Sequence, residues 1–284
     1  MLSLELREPV NAWSHGIGMV LALGLCGHFY RLWRTQGETE PSSYEDGKRL
    51  TLCLFGLSLV VCYGSSALYH GAWAGDRLLD PLRKLDHMGI YVLIAGTYSP
   101  PVWSLLRDVW RRWTLATVWG LAGFCSLLVA IRGVLPAWIA TTTYLAMGWG
   151  VIFCYRELSR AQSHQSLLPL PLGGVFYSVG AVINLAGWPV VAPGLFGAHE
   201  LFHFFVIAGS TCHVAFMFRI VLPALPPAGW QGSPDWSRPV LAYPQETSGH
   251  RFRLIPHKGS PFGARPYARR EQSRVSLPSL AKRA

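Results

Sequence analysis

The run Gly197-Ala198-His199-Glu200-Leu201-Phe202-His203-Phe204-Phe205-Val206-Ile207-Ala208-Gly209 opens an apolar stretch that continues to residue 222. A stretch of that length is what a helix needs to cross a hydrocarbon core. His199 and His203 stand four apart, so on a helix both imidazoles leave one face, a turn apart. That spacing offers two nitrogens to one zinc ion. An imidazole inside such a segment is costly to leave unpaired, and either a metal or helix–helix hydrogen bonding would satisfy the pair. The same residues spell His-Glu-x-x-His, in which Glu200 would be the general base of a soluble metalloprotease. The apolar neighbours, with no soluble catalytic domain around them, argue against the protease.

Outward from this stretch the pattern repeats. The chain of 284 residues is 51% hydrophobic and 14% charged, against about 25% charged in an average soluble domain. Up to residue 225 the charges sit in short clusters between apolar runs, the mark of a polytopic helical membrane protein. Seven spans can be drawn, at 12–33, 50–71, 85–106, 113–131, 136–155, 167–190 and 199–222. The connections are short, so neighbouring helices should be antiparallel, with the longest breaks at 34–49 and 72–84. Trp13, Trp33, Trp103, Trp110, Trp113, Trp138 and Tyr155 fall near span ends, as an interfacial belt would. Gly120, Gly123, Gly173, Gly174 and Gly180 are expected to let helices approach closely. The expected fold is all-α: a seven-transmembrane-helix bundle over 1–225.

Residues 226–284 change character to a Pro/Gly/Arg-rich tail, read as disordered. The net charge of +10 is concentrated there. Held near anionic lipid headgroups, each basic residue would contribute about 1 kcal/mol. A solvated extension and nucleic-acid contact are the competing readings; headgroups are the expected partner, nucleic acid is not, and no protein partner is indicated. Lys and Arg are more numerous on the face that would carry the carboxyl terminus, which places that terminus in the cytoplasm. Cys26, Cys53, Cys62, Cys125, Cys154 and Cys212 all lie in spans without CxxC spacing, so they read as small packing residues. Glu5, Arg7 and Glu8 precede the first apolar run, unlike a cleavable signal.

A third ligand for the histidine pair can be sought by depth. In an up-and-down bundle the end of span two, the start of span three and the start of span seven share one membrane face. His70, Asp86, His199 and His203 then lie at similar depth, with Ser66 one turn before His70. Three imidazoles with water in the fourth position would make an open tetrahedral site of catalytic type. Asp86 would hydrogen-bond that water or a ligand histidine, and Ser66 could add a donor. Taken singly, Asp86 could be a carboxylate at a helix amino terminus and Ser66 a packing serine. Asn11, Ser14 and His15 lie at the same face, either supporting the site or capping a helix start. His87 reads as interfacial, His28 and His213 as packing residues, and Asn184 has no evident partner.

Ser66-x-x-x-His70, Asp86-His87-Met88-Gly89-Ile90 and His199-x-x-x-His203 together resemble the motif set of the bacterial hemolysin III family. That family is grouped with the progestin and adiponectin receptors and, more distantly, the alkaline ceramidases. The opening Glu8-Pro9-Val10-Asn11-Ala12-Trp13-Ser14-His15 is similar to its first-span signature. Gly96-Thr97-Tyr98-Ser99-Pro100-Pro101 and Gly174-Val175-Phe176-Tyr177-Ser178-Val179-Gly180 are similar to hemolysin III in particular. The resemblance covers about residues 5–222. It implies a seven-helix protein of the bacterial plasma membrane with zinc held by His70, His199 and His203. By the same carry-over, Asp86 would hold the zinc-bound water and Ser66 would line the site as catalytic residues. In the ceramidase branch that arrangement hydrolyses a lipid amide, so a ceramide-like substrate and a role in membrane lipid homeostasis are the first expectation. A receptor-like sensor with structural zinc is the second, and a pore-forming cytolysin the third.

Overall fold

The structure is a computed structural model that describes residues 6–36, 43–227 and 230. Nine helices follow in order among the described residues: α1 Pro9–Gln36, α2 Ser43–Gly71, α3 Asp76–Leu105, α4 Asp108–Arg132, α5 Ala137–Trp149, α6 Tyr155–Ala161, α7 His164–Leu167, α8 Pro169–Ala186 and α9 Ala198–Phe216. There is no strand among these residues, only a single bridge between Ala192 and Phe196. The tail expected over 226–284 falls almost wholly outside the described residues.

Among the described residues, six stretches are long and apolar enough to cross a membrane: α1, α2, α4, Ala137–Ala161, His164–Ala186 and Ala198–Val221. The third expected span is a helix of 30 residues, but its first three turns carry Asp76, Arg77, Asp80, Arg83, Lys84 and Asp86. The remaining stretch, 88–105, has no charge and is long enough, but its Gly, Thr, Tyr, Ser and Pro residues leave it less apolar than the six. Leu21, Phe124, Ile131 and Phe153 are more than half exposed. A ring of large apolar side chains is a liability in water and an ordinary surface against acyl chains. The protein is a multi-pass integral membrane protein.

Hydropathy located the apolar segments but not the helix ends. Both long breaks expected between the first three spans are partly helical, because α2 starts at Ser43 and α3 at Asp76. Outside the apolar zone these turns are supported by neighbouring charge pairs, Lys48 with Glu45 and Lys84 with Asp80, each at 2.8 Å. The fifth span tightens into a 3-10 turn over Gly150–Cys154. Near that change of pitch the Tyr98 hydroxyl bonds the carbonyls of Met147 and Gly148 at 2.8 Å each. The sixth stops earlier than its apolar run suggests, since Gly187 takes a left-handed φ of 63° and ends α8.

α2 is the most enclosed helix. It packs between α1 and α3, with α4 against α3, and α8 against α9, which returns to α1. Close approach depends on small residues. A Cβ on Gly96 of α3 would overlap Ser58 of α2, and a Cβ on Gly173 of α8 would stand 3.1 Å from the Gly209 carbonyl of α9. Gly180 meets Phe205 in the same way, and Gly174 touches Trp149 only at ordinary contact distance. A Cβ on Gly120 or Gly123 of α4 would meet no neighbouring atom within 4 Å, so the expectation that they bring helices together fails. They lie on a helix that packs chiefly against α3.

Gly96→Ala should therefore destabilise the α2–α3 contact by about 1–3 kcal/mol, while Gly123→Ala should stay within about 0.5 kcal/mol of the parent. Thermal unfolding of the two detergent-purified variants checks the contrast. Equal melting temperatures would contradict this packing.

Candidate metal centre

His70 occupies the last turn of α2, and His199 and His203 the first turns of α9. The antiparallel arrangement brings all three together, with their ligand nitrogens within 4.8 Å of one another. The Nε2 atoms of His70 and His199 are 3.3 Å apart. Two nitrogens bound to a tetrahedral zinc at about 2.0–2.1 Å would be about 3.3–3.4 Å apart.

What lies behind each ring decides which nitrogen faces inward. His70 Nδ1 is 2.5 Å from Glu8 Oε2. That hydrogen bond pulls the Glu8 carboxyl down to about 2 from the ordinary carboxylate range, with burial opposing and Asn11 and Arg7 assisting. Glu8 is thus an ionised acceptor and the proton is on His70 Nδ1. His199 Nδ1 is 2.9 Å from Asn184 Oδ1, an atom that can only accept. Ser14 Oγ is 3.3 Å from His203 Nδ1 and donates its own proton to the Asn11 carbonyl at 3.0 Å. It therefore accepts from His203.

With Nδ1 of each ring engaged by Glu8, Ser14 or Asn184, Nε2 is left as the inward ligand atom. Unshared pairs this close repel unless something positive sits among them. A proton joins two of them; a metal ion joins all three. The donor set fits zinc held by His70, His199 and His203, with the outer nitrogens anchored as in zinc proteins generally.

The surroundings lock this arrangement. His15 stacks on His203 with ring centroids 3.7 Å apart. Asn11 Nδ2 donates to Glu8 Oε2 at 3.1 Å and to Glu200 Oε1 at 2.8 Å, tying α1 to α9. Glu200 also accepts from the Gly197 backbone N–H at 2.8 Å. Its carboxylate is thereby committed to capping α9 and to Asn11. This is a structural employment for the residue that a protease would use as base.

The remaining sequence expectations divide. Asp86 stands outside the three-histidine group, yet its carboxylate is within electrostatic reach of His199. It lies ten residues inside α3, so a helix-terminus explanation, which acts only over the first turn, does not apply to it. Ser66 is buried one turn before His70 on α2. His87 bonds the Arg83 carbonyl of its own helix at 2.9 Å. His213 stacks on Tyr177, and His28 lies against Phe218. Asn11 and Ser14 are inside α1 rather than at its cap.

Two residues at the site were not assigned a place there by sequence. Asn184 has a partner after all, His199. A lone amide in an apolar span is costly enough to have been a signal. Glu8 gave less warning, because a carboxylate at a membrane surface is ordinary.

With this geometry in view, the comparisons are direct. Residues 5–214 match the family model described as "Haemolysin-III related". The chain belongs to the haemolysin-III-related family. The "Hemolysin-3 homolog" of Bacillus subtilis is 31% identical over 218 residues, covering 76% of this chain and 93% of that one. "Hemolysin-3" of Bacillus cereus is 30% identical, over 76% of this chain and 90% of its own length. An "Adiponectin receptor protein" of Drosophila melanogaster is 24% identical over 72% of this chain and 49% of its own. The membership covers the region that holds every residue of the histidine centre.

If Asn184 orients His199, then Asn184→Leu should weaken metal binding by about 10–100-fold without unfolding the protein. Metal titration of the purified variant beside the parent checks this. Unchanged affinity would show that the anchor has no such part.

Proposed function

We propose that this haemolysin-III-related protein is an intramembrane zinc-dependent hydrolase acting on a lipid amide of ceramide-like class, in membrane lipid homeostasis. The observation that carries the reading is the convergence of three imidazole nitrogens at one end of the bundle. Among the described residues three protein ligands meet there, and a three-ligand zinc site is of the open type used for chemistry. Zinc bound by His70, His199 and His203 would supply Lewis acidity, polarising an amide carbonyl and acidifying water.

The chain's own residues would do the rest. Asp86 would take the proton from the attacking water and return it to the departing nitrogen. The Ser66 hydroxyl would donate to the oxygen on which negative charge develops. An almost wholly apolar cavity between α3, α5, α8 and α9 includes Ile94, Tyr98, Trp149 and Val206 in its wall. Phe202, whose ring centroid lies 6.0 Å from that of His199 and 6.1 Å from that of His203, is part of the same wall. Such a cavity suits an acyl chain entering sideways from the bilayer.

A receptor-like sensor is the second reading. Asp86 near His199 favours it, because a carboxylate as fourth ligand would close the site and make zinc a staple between α2, α3 and α9.

The purified protein is expected to hold one zinc per chain, lost in His203→Ala. Asp86→Asn should keep the metal and lose hydrolysis of ceramides and related amides, by about 100-fold or more. Undiminished turnover by Asp86→Asn sinks the assignment of the base. Four protein ligands by X-ray absorption, with no turnover by the parent, would select the sensor.

A further inference from the structure

At the end of the bundle opposite the histidines, where α1 finishes, α2 begins and α9 runs out, two basic side chains are buried side by side. Lys48 is fully employed. Its Nζ donates to Glu45 Oε1 at 2.8 Å, to the Leu222 carbonyl at 3.1 Å and to the Ala224 carbonyl at 3.0 Å. Three protons meet three acceptors.

Arg49 is different. It is 7% exposed, and its Nε and Nη1 have no hydrogen-bond partner among the described residues. The nearest carboxylate contacts are Asp46 at 3.7 Å from Nη1 and Glu45 at 4.0 Å from Nη2. Both are too long for hydrogen bonds. A guanidinium cannot neutralise itself by releasing a proton, so burial without acceptors is destabilising unless an acceptor arrives.

The place for one is beside it. Arg49, Lys48 and Glu45 form the polar wall of a cleft of about 410 Å³, part of it open to the outside, whose other wall is Phe29, Leu32, Leu52 and Leu222. We propose that this cleft is a phosphate-binding site, with Arg49 donating to the phosphate oxygens. Arg suits phosphate because it is always charged and weakly hydrated. The carboxylates of Glu45 and Asp46 limit how much negative charge the site accepts, which favours a singly charged phosphodiester over a dianionic monoester. The apolar wall would take the first methylenes of an attached acyl chain. An anionic phospholipid meets all of these conditions, and free inorganic phosphate meets the first. The site is independent of the histidine centre and of whatever reaction occurs there.

The test uses full-length protein, so the basic tail is present throughout and its contribution cancels. Native mass spectrometry and thermal unfolding are run with phosphatidylglycerol, with diacylglycerol, which lacks the phosphate, and with inorganic phosphate. Phosphatidylglycerol should stay on the parent chain and raise its melting temperature, while diacylglycerol does neither. Arg49→Gln should weaken retention by about tenfold or more. Leu32→Trp, which fills the cleft and leaves Arg49 in place, should do the same, and zinc content should be unchanged in both. If Arg49→Gln does not fold, Leu32→Trp decides alone. Protection by inorganic phosphate alone, lost in the same variants, keeps the site and makes its source soluble. Equal binding of phosphatidylglycerol and inorganic phosphate by the parent and every folded variant overturns the proposal.

Discussion

Three imidazole lone pairs share one small volume at one end of this membrane bundle, and much of the local structure exists to hold them there. The protons on the far nitrogens are each claimed by a different segment: Glu8 before α1, Ser14 on α1 and Asn184 on α8. Each ring is thereby fixed both in rotation and in tautomer. The segment before α1 is fixed in turn. Arg7 donates to the Tyr69 carbonyl at 2.8 Å and lies over the Tyr69 ring, and the Glu8 backbone N–H bonds the His70 carbonyl at 3.0 Å. Asn11 then closes the loop between Glu8 and Glu200.

Helix packing sets the distances that these side chains bridge. The contact of α8 with α9, made close by Gly173, Gly180 and Gly209, brings Asn184 within reach of His199. The contact of α2 with α3, through Gly89 and Gly96 of α3, leaves Asp86 within electrostatic reach of His199 but outside the histidine group. Polar groups are thus concentrated at the two ends of the bundle. One end gathers the imidazoles with the carboxylates of Glu8, Glu200 and Asp86. The other gathers buried cations, with Lys48 satisfying carbonyls left open where α9 unwinds. Between them the bundle is largely apolar, as a segment surrounded by lipid must be.

Apolar run length was enough to find every long helix, because bilayer thickness fixes how much hydrophobic chain a span requires. It could not find their ends. Charged turns at the starts of α2 and α3 remain helical outside the apolar zone, where water and neighbouring ion pairs support them. The shifted start of α3 changes how Asp86 is understood, from a terminal carboxylate to one well inside a helix. The glycines show a similar limit. Gly173 and Gly120 look alike in sequence, and only packing makes the first a point of contact and leaves the second open.

The sequence by itself determined the membrane class, the helical fold and the depth at which His70, His199 and His203 lie, since depth follows from position along an apolar run. Tertiary structure alone decided which groups stand behind those rings. Glu8, Ser14 and Asn184 come from separate parts of the chain, and no periodicity relates them. Lateral packing of the helices brings them to the histidines, and that packing depends on side-chain volumes from several helices at once rather than on any local pattern.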